Sequence, residues 1–240
     1  MSGDSRLLTE HDLHAFEHTV LVRHRLEEQY ENLEQQTETA VLGMWLFLAT
    51  EIMFFGTLFL ALGVYRYVYP EPFEQASRTL NWQIGAANTF VLLISSFTMA
   101  MAVHFARLGR SRTLFNFLIA TALLGCVFLG LKAYEYYEDI REGLILGSRF
   151  NPEAWPDLPA DKVPHVKLFL LLYWVMTGAH AVHMMIGITA VLIIAMLARK
   201  NRFDADYYSP VDVTGLYWHF VDIVWIFLFP MLYLLGTHRL

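Results

Sequence analysis

The chain has 240 residues, of which 56% are hydrophobic and only 17% are charged, and its formal net charge at pH 7 is −6. A soluble globular domain has about 25% charged residues, so the composition excludes an ordinary soluble fold. The net negative charge also argues against nucleic acid as a partner, because binding to phosphates requires a basic surface.

Residues 1–40 form the most acidic part of the chain, with nine acidic residues and no continuous apolar run. This composition is wrong for a signal peptide. Apolar residues in this segment follow helical spacing in two runs: Leu13, Phe16 and Val20, then Leu26, Tyr30 and Leu33. The pattern predicts an amphipathic helix over 9–38, and its acidic polar side favours a protein partner over an anionic lipid surface.

The rest of the chain is dominated by long apolar stretches. A helix that crosses a bilayer needs about 20 consecutive, mostly apolar residues. Five stretches meet this requirement: about 41–65, 84–106, 114–137, 167–198 and 212–236. The sequence therefore predicts an all-α integral membrane protein, with a five-transmembrane-helix bundle over 41–240 and the cytoplasmic amphipathic segment over 1–40. The fourth stretch is longer than a span requires, so its helix is expected to tilt or to extend beyond the bilayer.

The connections between the spans differ in their positive charge. The second and fourth connections each carry three cations within a few residues: Arg107, Arg110 and Arg112, then Arg199, Lys200 and Arg202. Lys and Arg are concentrated in cytoplasmic loops, so these two connections are predicted to be cytoplasmic. The N-terminus is then also expected in the cytoplasm, and the C-terminus on the outer side of the membrane.

Glu51 is a carboxylate inside the first predicted span. It lies about eleven residues from the start of the span, which places it near the middle of the bilayer. An ionisable group at this depth is costly and usually faces protein or a water-filled cavity. Two interpretations remain open from the residues alone: a neutral acid hydrogen-bonded to a neighbouring helix, or a group that handles protons or orders lipid.

Further polar residues lie inside the second, fourth and fifth spans. His180 and His183 are one turn apart, and His219 and Asp222 are also three residues apart, so each pair is expected to share one side of its helix. We predict a buried polar network that ties the helices together: Glu51, His180, His183, His219 and Asp222. Which of these residues contact one another does not follow from the sequence. The second span adds residues that can hydrogen-bond across helices: Asn88, Thr89, Ser95, Ser96 and Thr98.

The histidines raise the question of a metal or haem site. Two axial ligands must approach a haem from opposite sides, but His180 and His183 are expected to project the same way. His219 could pair with only one of them, and the single cysteine, Cys126, lies inside the third span. No metal site is therefore predicted in this chain. Lys132 and Glu135 predict an ion pair at the membrane interface, where the third helix leaves the bilayer.

Several motifs, in chain order, resemble the subunit III family of the haem-copper cytochrome c oxidases, in its short five-helix bacterial form. They extend over about 41–238: Glu51 in Thr-Glu-Ile-Met-Phe-Phe, Asn88-Thr89, His104, Ala133-Tyr-Glu-Tyr-Tyr-Glu138, Gly178-Ala-His-Ala-Val-His183 with Gly187, and Tyr217-Trp-His-Phe-Val-Asp-Ile-Val-Trp225. The last two motifs are the most specific.

The resemblance implies a non-catalytic subunit of a proton-pumping aa3-type oxidase in the aerobic respiratory chain, which transfers electrons from cytochrome c to O2. Haem a and copper are then held by the partner subunits I and II and not by this chain. The family's subunit III binds phospholipid, supports proton uptake and protects the catalytic subunit from inactivation. Glu51 resembles the family's buried acid near proton uptake and lipid, and His219 with Asp222 resembles its helix-packing pair.

Two segments depart from the longer members of the family. Segment 1–40 stands where seven-helix members have two further helices, and the connection 138–166 has no counterpart, so either could contact another respiratory complex in a supercomplex. Three other functions are considered: a related accessory subunit of nitric oxide reductase, a membrane b-type cytochrome, and a proton-coupled transporter. The transporter is disfavoured because the sequence has no matching pair of broken helices.

Overall fold

The computed structural model describes residues 29–144, 159, 161–205 and 207–234. In these residues the chain forms six α-helices and no β-strand: α1 Leu33–Val68, α2 Pro70–Thr79, α3 Trp82–Arg107, α4 Ser111–Arg141, α5 Val163–Arg199 and α6 Ser209–Tyr233. All except α2 are long and apolar enough to cross a membrane, so the prediction of an all-α protein with five spans is confirmed. The fourth span, α5, has 37 residues and exceeds the bilayer core as expected.

The helices begin at residues that suit helix starts. Asn32 caps α1 by accepting a hydrogen bond from the backbone N–H of Gln35 at 2.8 Å. Asn81 caps α3 in the same way. A proline lies in the first turn of α2, α5 and α6, where its missing N–H costs no helical hydrogen bond.

The prediction of one amphipathic helix over 9–38 is wrong at the C-terminal end of that range. Residues 29–32 form a turn and a bend, and α1 begins at Leu33 and continues without a break into the first span. The physical reason is the Asn32 cap, which starts a new helix inside the predicted one. The remainder of the predicted helix, over 9–28, lies outside the described residues.

The short helix α2 was not predicted. It packs against α5 and α6, with Phe73 and Ala76 fully buried, and the Ser77 hydroxyl donates to the carbonyl of Leu232 at 2.7 Å. The signal was present in the sequence, because Pro70 suits the first position of a helix and Phe73, Ala76 and Ser77 follow helical spacing. A search for membrane spans does not detect this segment, because it is too short and too polar to cross a bilayer.

Helices α3 to α6 form the packed core of the bundle, and α1 lies at its edge. The largest fully buried side chains include Trp218 and Trp225 of α6. Only three residues of α1 are buried, Leu48, Phe55 and Leu62, and they are spaced seven residues apart. A stripe this narrow attaches α1 to α6 and, less extensively, to α5, and leaves most of its apolar surface for lipid or a partner subunit.

Glycines allow the closest approaches between the core helices. A Cβ atom added at Gly125 of α4 would lie 2.8 Å from the ring of Trp218 and 3.0 Å from Ile188. A Cβ added at Gly215 of α6 would lie 2.9 Å from Val103 of α3. Side chains at these positions would push the helices apart, so the glycines set the distances between α6 and its neighbours.

We expect the substitution Gly125→Leu to destabilise the bundle, because the new side chain overlaps the buried ring of Trp218. Overpacking of this kind costs about 1–3 kcal/mol. The measurement is the temperature at which the detergent-solubilised protein loses half of its monodisperse fraction, which should fall by several degrees. The control is Gly130→Leu on the same helix, where an added Cβ has no neighbour within 4 Å. Equal melting temperatures for the two variants would contradict this packing.

Candidate functional site

Glu51 and His183 form a polar pair that joins α1 to α5. Glu51 Oε2 lies 3.1 Å from His183 Nε2, and His183 Nδ1 lies 2.8 Å from the backbone carbonyl of Ala179. A carbonyl oxygen can only accept, so Nδ1 carries a proton and donates it. The hydrogen bond between Nε2 and Glu51 then needs one more proton, on either the carboxyl or the imidazole. In both arrangements the pair holds one transferable proton and has no net charge.

The pair lies at the edge of the bundle and remains partly accessible. The side chains of His183 and Glu51 are 16% and 18% exposed. By comparison, the side chains of Lys132 and Glu135, which form an ion pair inside the bundle, are 3% and 2% exposed. Phe55 contacts the His183 ring edge-on at 5.2 Å between centroids, and the Tyr217 hydroxyl donates to the His183 carbonyl at 3.0 Å. These contacts hold the imidazole in place. They leave the Glu51–His183 pair accessible from the side of the bundle that faces lipid or a partner subunit.

The structure shows which members of the predicted polar network contact one another, and they lie in separate locations. His219 Nδ1 bonds the hydroxyl of Ser96 at 2.8 Å and so joins α6 to α3, apart from the Glu51–His183 pair. His180 and Asn88 are 1% and 0% exposed, and their side-chain polar atoms have no hydrogen-bond partner among the described residues. Asp222 is 3% exposed and lies close to the Ser96 hydroxyl that His219 binds.

The expected common direction of His180 and His183 is also wrong. His180 packs between Phe128 of α4 and Trp225 of α6, with ring centroids 5.4 and 5.1 Å away, whereas His183 faces Glu51 of α1. Residues three apart differ by about 60° around a helix of 3.6 residues per turn. In a bundle, that difference is enough to place them against different neighbours.

These contacts bear on haem binding. Aromatic rings occupy the space beside the imidazole of His180, His183 is bonded at both nitrogens, and His219 bonds Ser96. Each of the three imidazoles that raised the question of a haem therefore already contacts groups of the protein.

Hydroxyl groups of α3 bind the indoles of α6, as the sequence predicted for cross-helix hydrogen bonds. Trp218 Nε1 donates to Ser95 Oγ at 3.1 Å, and Trp225 Nε1 donates to Thr89 Oγ1 at 3.1 Å. These bonds and the His219–Ser96 contact pair three polar groups of α6 with three hydroxyls of α3. They fix the rotation of α6 against α3, because a rotated helix would leave buried donors without acceptors.

Lys132 and Glu135 form the predicted ion pair, at 3.1 Å, and protein encloses it. Both side chains are only about 2–3% exposed. Lys132 Nζ also donates to the hydroxyl of Tyr233 at 2.8 Å and contacts that of Tyr173 at 3.3 Å. The hydroxyl of Tyr233 donates to Glu135 Oε1 at 2.5 Å, and the hydroxyl oxygen of Tyr173 lies 3.1 Å from the same carboxylate oxygen. The pair is thus the centre of an enclosed cluster that joins α4, α5 and α6.

Asp139 and aromatic rings complete this cluster, and the sequence analysis did not identify them. The Tyr173 hydroxyl lies 2.8 Å from Asp139 Oδ2. The rings of four aromatic residues lie 4.8–5.5 Å from Lys132 Nζ, within the range of cation–π attraction: Tyr136, Tyr173, Trp225 and Tyr233. Tyr173 and Tyr233 are 41 and 101 residues from Lys132 in the chain, so local spacing could not have found them.

Comparison with known proteins identifies the family. The profile of the family described as cytochrome c oxidase subunit III matches residues 167–237, which include His180, His183 and the last helix. Quinol oxidase subunit 3 of Bacillus spizizenii is 32% identical over 212 residues, covering 85% of this chain and 92% of the relative. The chain belongs to the haem-copper oxidase subunit III family.

Two further relatives agree with this result. Quinol oxidase subunit 3 of Bacillus subtilis has the same identity and coverage, and the probable quinol oxidase subunit 3 of Staphylococcus saprophyticus is 30% identical over 197 residues, 81% of this chain and 88% of the relative. The resemblance read from the sequence is confirmed: the chain is a multi-pass membrane subunit III of a haem-copper oxidase, which associates with other oxidase subunits. The names of these relatives give quinol as the electron donor, whereas the profile is named for cytochrome c.

We expect Lys132→Met to destabilise the protein strongly, because it leaves Glu135 and Asp139 enclosed without a cation. Removing one partner of a buried ion pair costs about 3–5 kcal/mol. The double variant Lys132→Met with Glu135→Gln should recover part of this loss, and the control Lys200→Met, at an exposed cation, should change little. Thermal unfolding in detergent measures all three. Equal losses for Lys132→Met and Lys200→Met would contradict an enclosed cluster.

Proposed function

We propose that this chain is the non-catalytic subunit III of a proton-pumping, aa3-type cytochrome c oxidase of the aerobic respiratory chain. Membership of the subunit III family carries the proposal, together with the Glu51–His183 pair. In this assignment haem a and copper belong to subunits I and II, which reduce O2 with electrons from cytochrome c. This chain stabilises the catalytic subunit, binds phospholipid and supports proton uptake.

The Glu51–His183 pair is the group best placed to support proton uptake. It holds one transferable proton, and it lies on the loosely packed side of the bundle where a partner subunit or lipid can contact it. A general acid or base has to be within hydrogen-bond reach of its proton partner, directly or through one water. The enclosed Lys132 cluster lacks this accessibility, so we assign it a structural role.

The proposed location is the bacterial inner membrane, with the N-terminus in the cytoplasm. The two arginine-rich connections lie at the same end of the bundle, since Ser111 Oγ donates to the carbonyl of Phe203 at 3.2 Å. Arg110, Arg112 and Asn201 also line one shared depression there. Positive charge concentrated at one end supports a cytoplasmic position for that end.

A quinol oxidase is the second candidate, because the relatives described above carry that name. The two candidates differ in the electron donor, which acts on the partner subunits in either complex. The described residues of this chain offer no donor site that would separate them. The choice therefore depends on which catalytic subunits this chain accompanies.

The first test is the identity of the complex. A tagged copy of this chain should be recovered in mild detergent from its native membranes together with oxidase subunits I and II, with haem-a bands in the reduced-minus-oxidised spectrum. The isolated complex should oxidise reduced cytochrome c faster than quinol. Faster oxidation of quinol would replace the proposal with the second candidate, and recovery with nitric oxide reductase would refute both.

The second test is Glu51→Gln. The amide can still bond His183, so assembly should remain normal, but it holds no transferable proton. We expect proton uptake during turnover to slow several-fold, or the active lifetime of the enzyme to shorten several-fold. The measurements are proton release and activity against time in vesicles containing the complex.

Two further variants sharpen this test. His183→Gln should resemble Glu51→Gln, because it removes the other half of the pair, and Glu142→Gln, at an exposed position, is the matched control. If all three variants pump protons and lose activity at the wild-type rate, the Glu51–His183 pair has no part in proton uptake.

A further inference from the structure

The enclosed cluster around Lys132 contains more acidic groups than basic ones. Lys132 is accompanied on α4 by two carboxyl groups, those of Glu135 and Asp139. Lys132, Glu135 and Asp139 are 2%, 2% and 5% exposed, so water solvates none of them well. If all three were ionised, the cluster would hold one negative charge in excess, and an enclosed charge without a partner is strongly unfavourable.

The hydrogen-bond donors of the cluster are directed mainly at Glu135. Lys132 Nζ donates to Glu135 Oε2 at 3.1 Å, and the hydroxyl of Tyr233 donates to Glu135 Oε1 at 2.5 Å. Among the described residues, the hydrogen bond that reaches Asp139 comes from the hydroxyl of Tyr173, 2.8 Å from Oδ2. Asp139 is therefore the carboxyl group whose negative charge has less support.

Tyr173 lies between the two carboxyl groups and can donate to only one of them. Its oxygen is 2.8 Å from Asp139 Oδ2 and 3.1 Å from Glu135 Oε1, but a phenol has a single O–H proton. With both carboxylates ionised, one of these contacts joins two acceptors and is repulsive. One additional proton removes the conflict, because a protonated Asp139 donates to Tyr173 and Tyr173 then donates to Glu135.

The other groups around Asp139 supply no further positive charge. The charged and titratable side chains that face it come from three helices: Lys132, Glu135 and Glu142 of α4, Tyr173 of α5 and Tyr233 of α6. Lys132 is the cation of this group, and its ammonium already binds Glu135. A proton is therefore the ligand that best balances the charge of the cluster.

We propose that this cluster binds one additional proton, shared between Asp139 and Glu135 through Tyr173, and that release of this proton as the pH rises weakens the contact of α4 with α5 and α6. The proton belongs to the coupled carboxyl groups and not to either residue alone. The site lies near the end of α4 at Arg141, opposite to the arginine-rich connections, which adjoin Ser111.

The bound proton makes the packing at this end of the bundle depend on pH. A carboxyl group that holds its proton more tightly in the folded than in the unfolded protein stabilises the fold at low pH, and this stabilisation is lost as the pH rises through the folded-state titration. In the proposed orientation, the site responds to the pH on the outer side of the membrane. It goes beyond the proposed function of the Glu51–His183 pair, because the enclosed proton is held at equilibrium and is not passed on during turnover.

The test compares thermal unfolding of the full-length chain in detergent at about pH 5 and about pH 8, a range in which an enclosed carboxyl group can change its charge. We expect the wild type to melt several degrees lower at the higher pH. Asp139→Asn cannot ionise, and its amide can still donate to Tyr173, so its melting temperature should change much less with pH. The matched control is Glu142→Gln, at an exposed carboxylate nearby, which should keep the wild-type pH dependence.

Glu135→Gln tests the balance of charge directly. Lys132 and Asp139 then carry equal and opposite charges, so the cluster needs no additional proton, and the pH dependence of unfolding should be lost here too. Infrared difference spectra between the two pH values give a readout that does not depend on stability. The carbonyl band of a protonated carboxyl group should disappear at the higher pH in the wild type, and this change should be missing in Asp139→Asn.

Equal pH dependence of unfolding in the wild type and Asp139→Asn would overturn the proposal. So would a wild-type carboxyl band that does not change between the two pH values. If Asp139→Asn does not fold, Glu135→Gln provides the same comparison, because removing either negative charge balances Lys132. All of these measurements use this chain without partner subunits, so their outcome is separate from the test of the proposed function.

Discussion

The contact of α6 with α3 and α4 is the interaction on which the rest of the structure depends. Trp218 fills the space that Gly125 leaves beside α4 and donates its N–H to Ser95 of α3. An indole buried in a bilayer protein needs both a close-fitting space and an acceptor, so this contact sets the distance and the rotation of α6 together. That rotation brings His219 to Ser96 and Tyr217 to the backbone of His183.

The two charged centres of the bundle illustrate opposite uses of a buried ionisable group. Lys132 and Glu135 are enclosed, with their charges met by hydroxyls and aromatic rings, so they join helices and exchange little with solvent. Glu51 and His183 are partly exposed at the edge of the bundle and share one proton between them. The proposed roles, structural for the enclosed pair and proton-handling for the accessible pair, rest on this difference in accessibility.

The peripheral helix α1 connects the candidate functions. It carries Glu51 towards α5 and lines an apolar groove with α6, and it has only a narrow buried stripe of its own. Most of its surface therefore faces outwards from the bundle. Because the chain is a subunit III of a haem-copper oxidase, it associates with other oxidase subunits.

The sequence by itself determined the five spans, the polar residues inside them and the family, because these follow from apolar length and from local motifs. It also placed Lys132 beside Glu135, since residues three apart on a helix are neighbours. Helical period shows which residues share a side of a helix but not which helix faces that side. Only the tertiary structure could therefore assign His183 to Glu51, His180 to Phe128 and Trp225, and two tyrosines distant in the chain to Lys132.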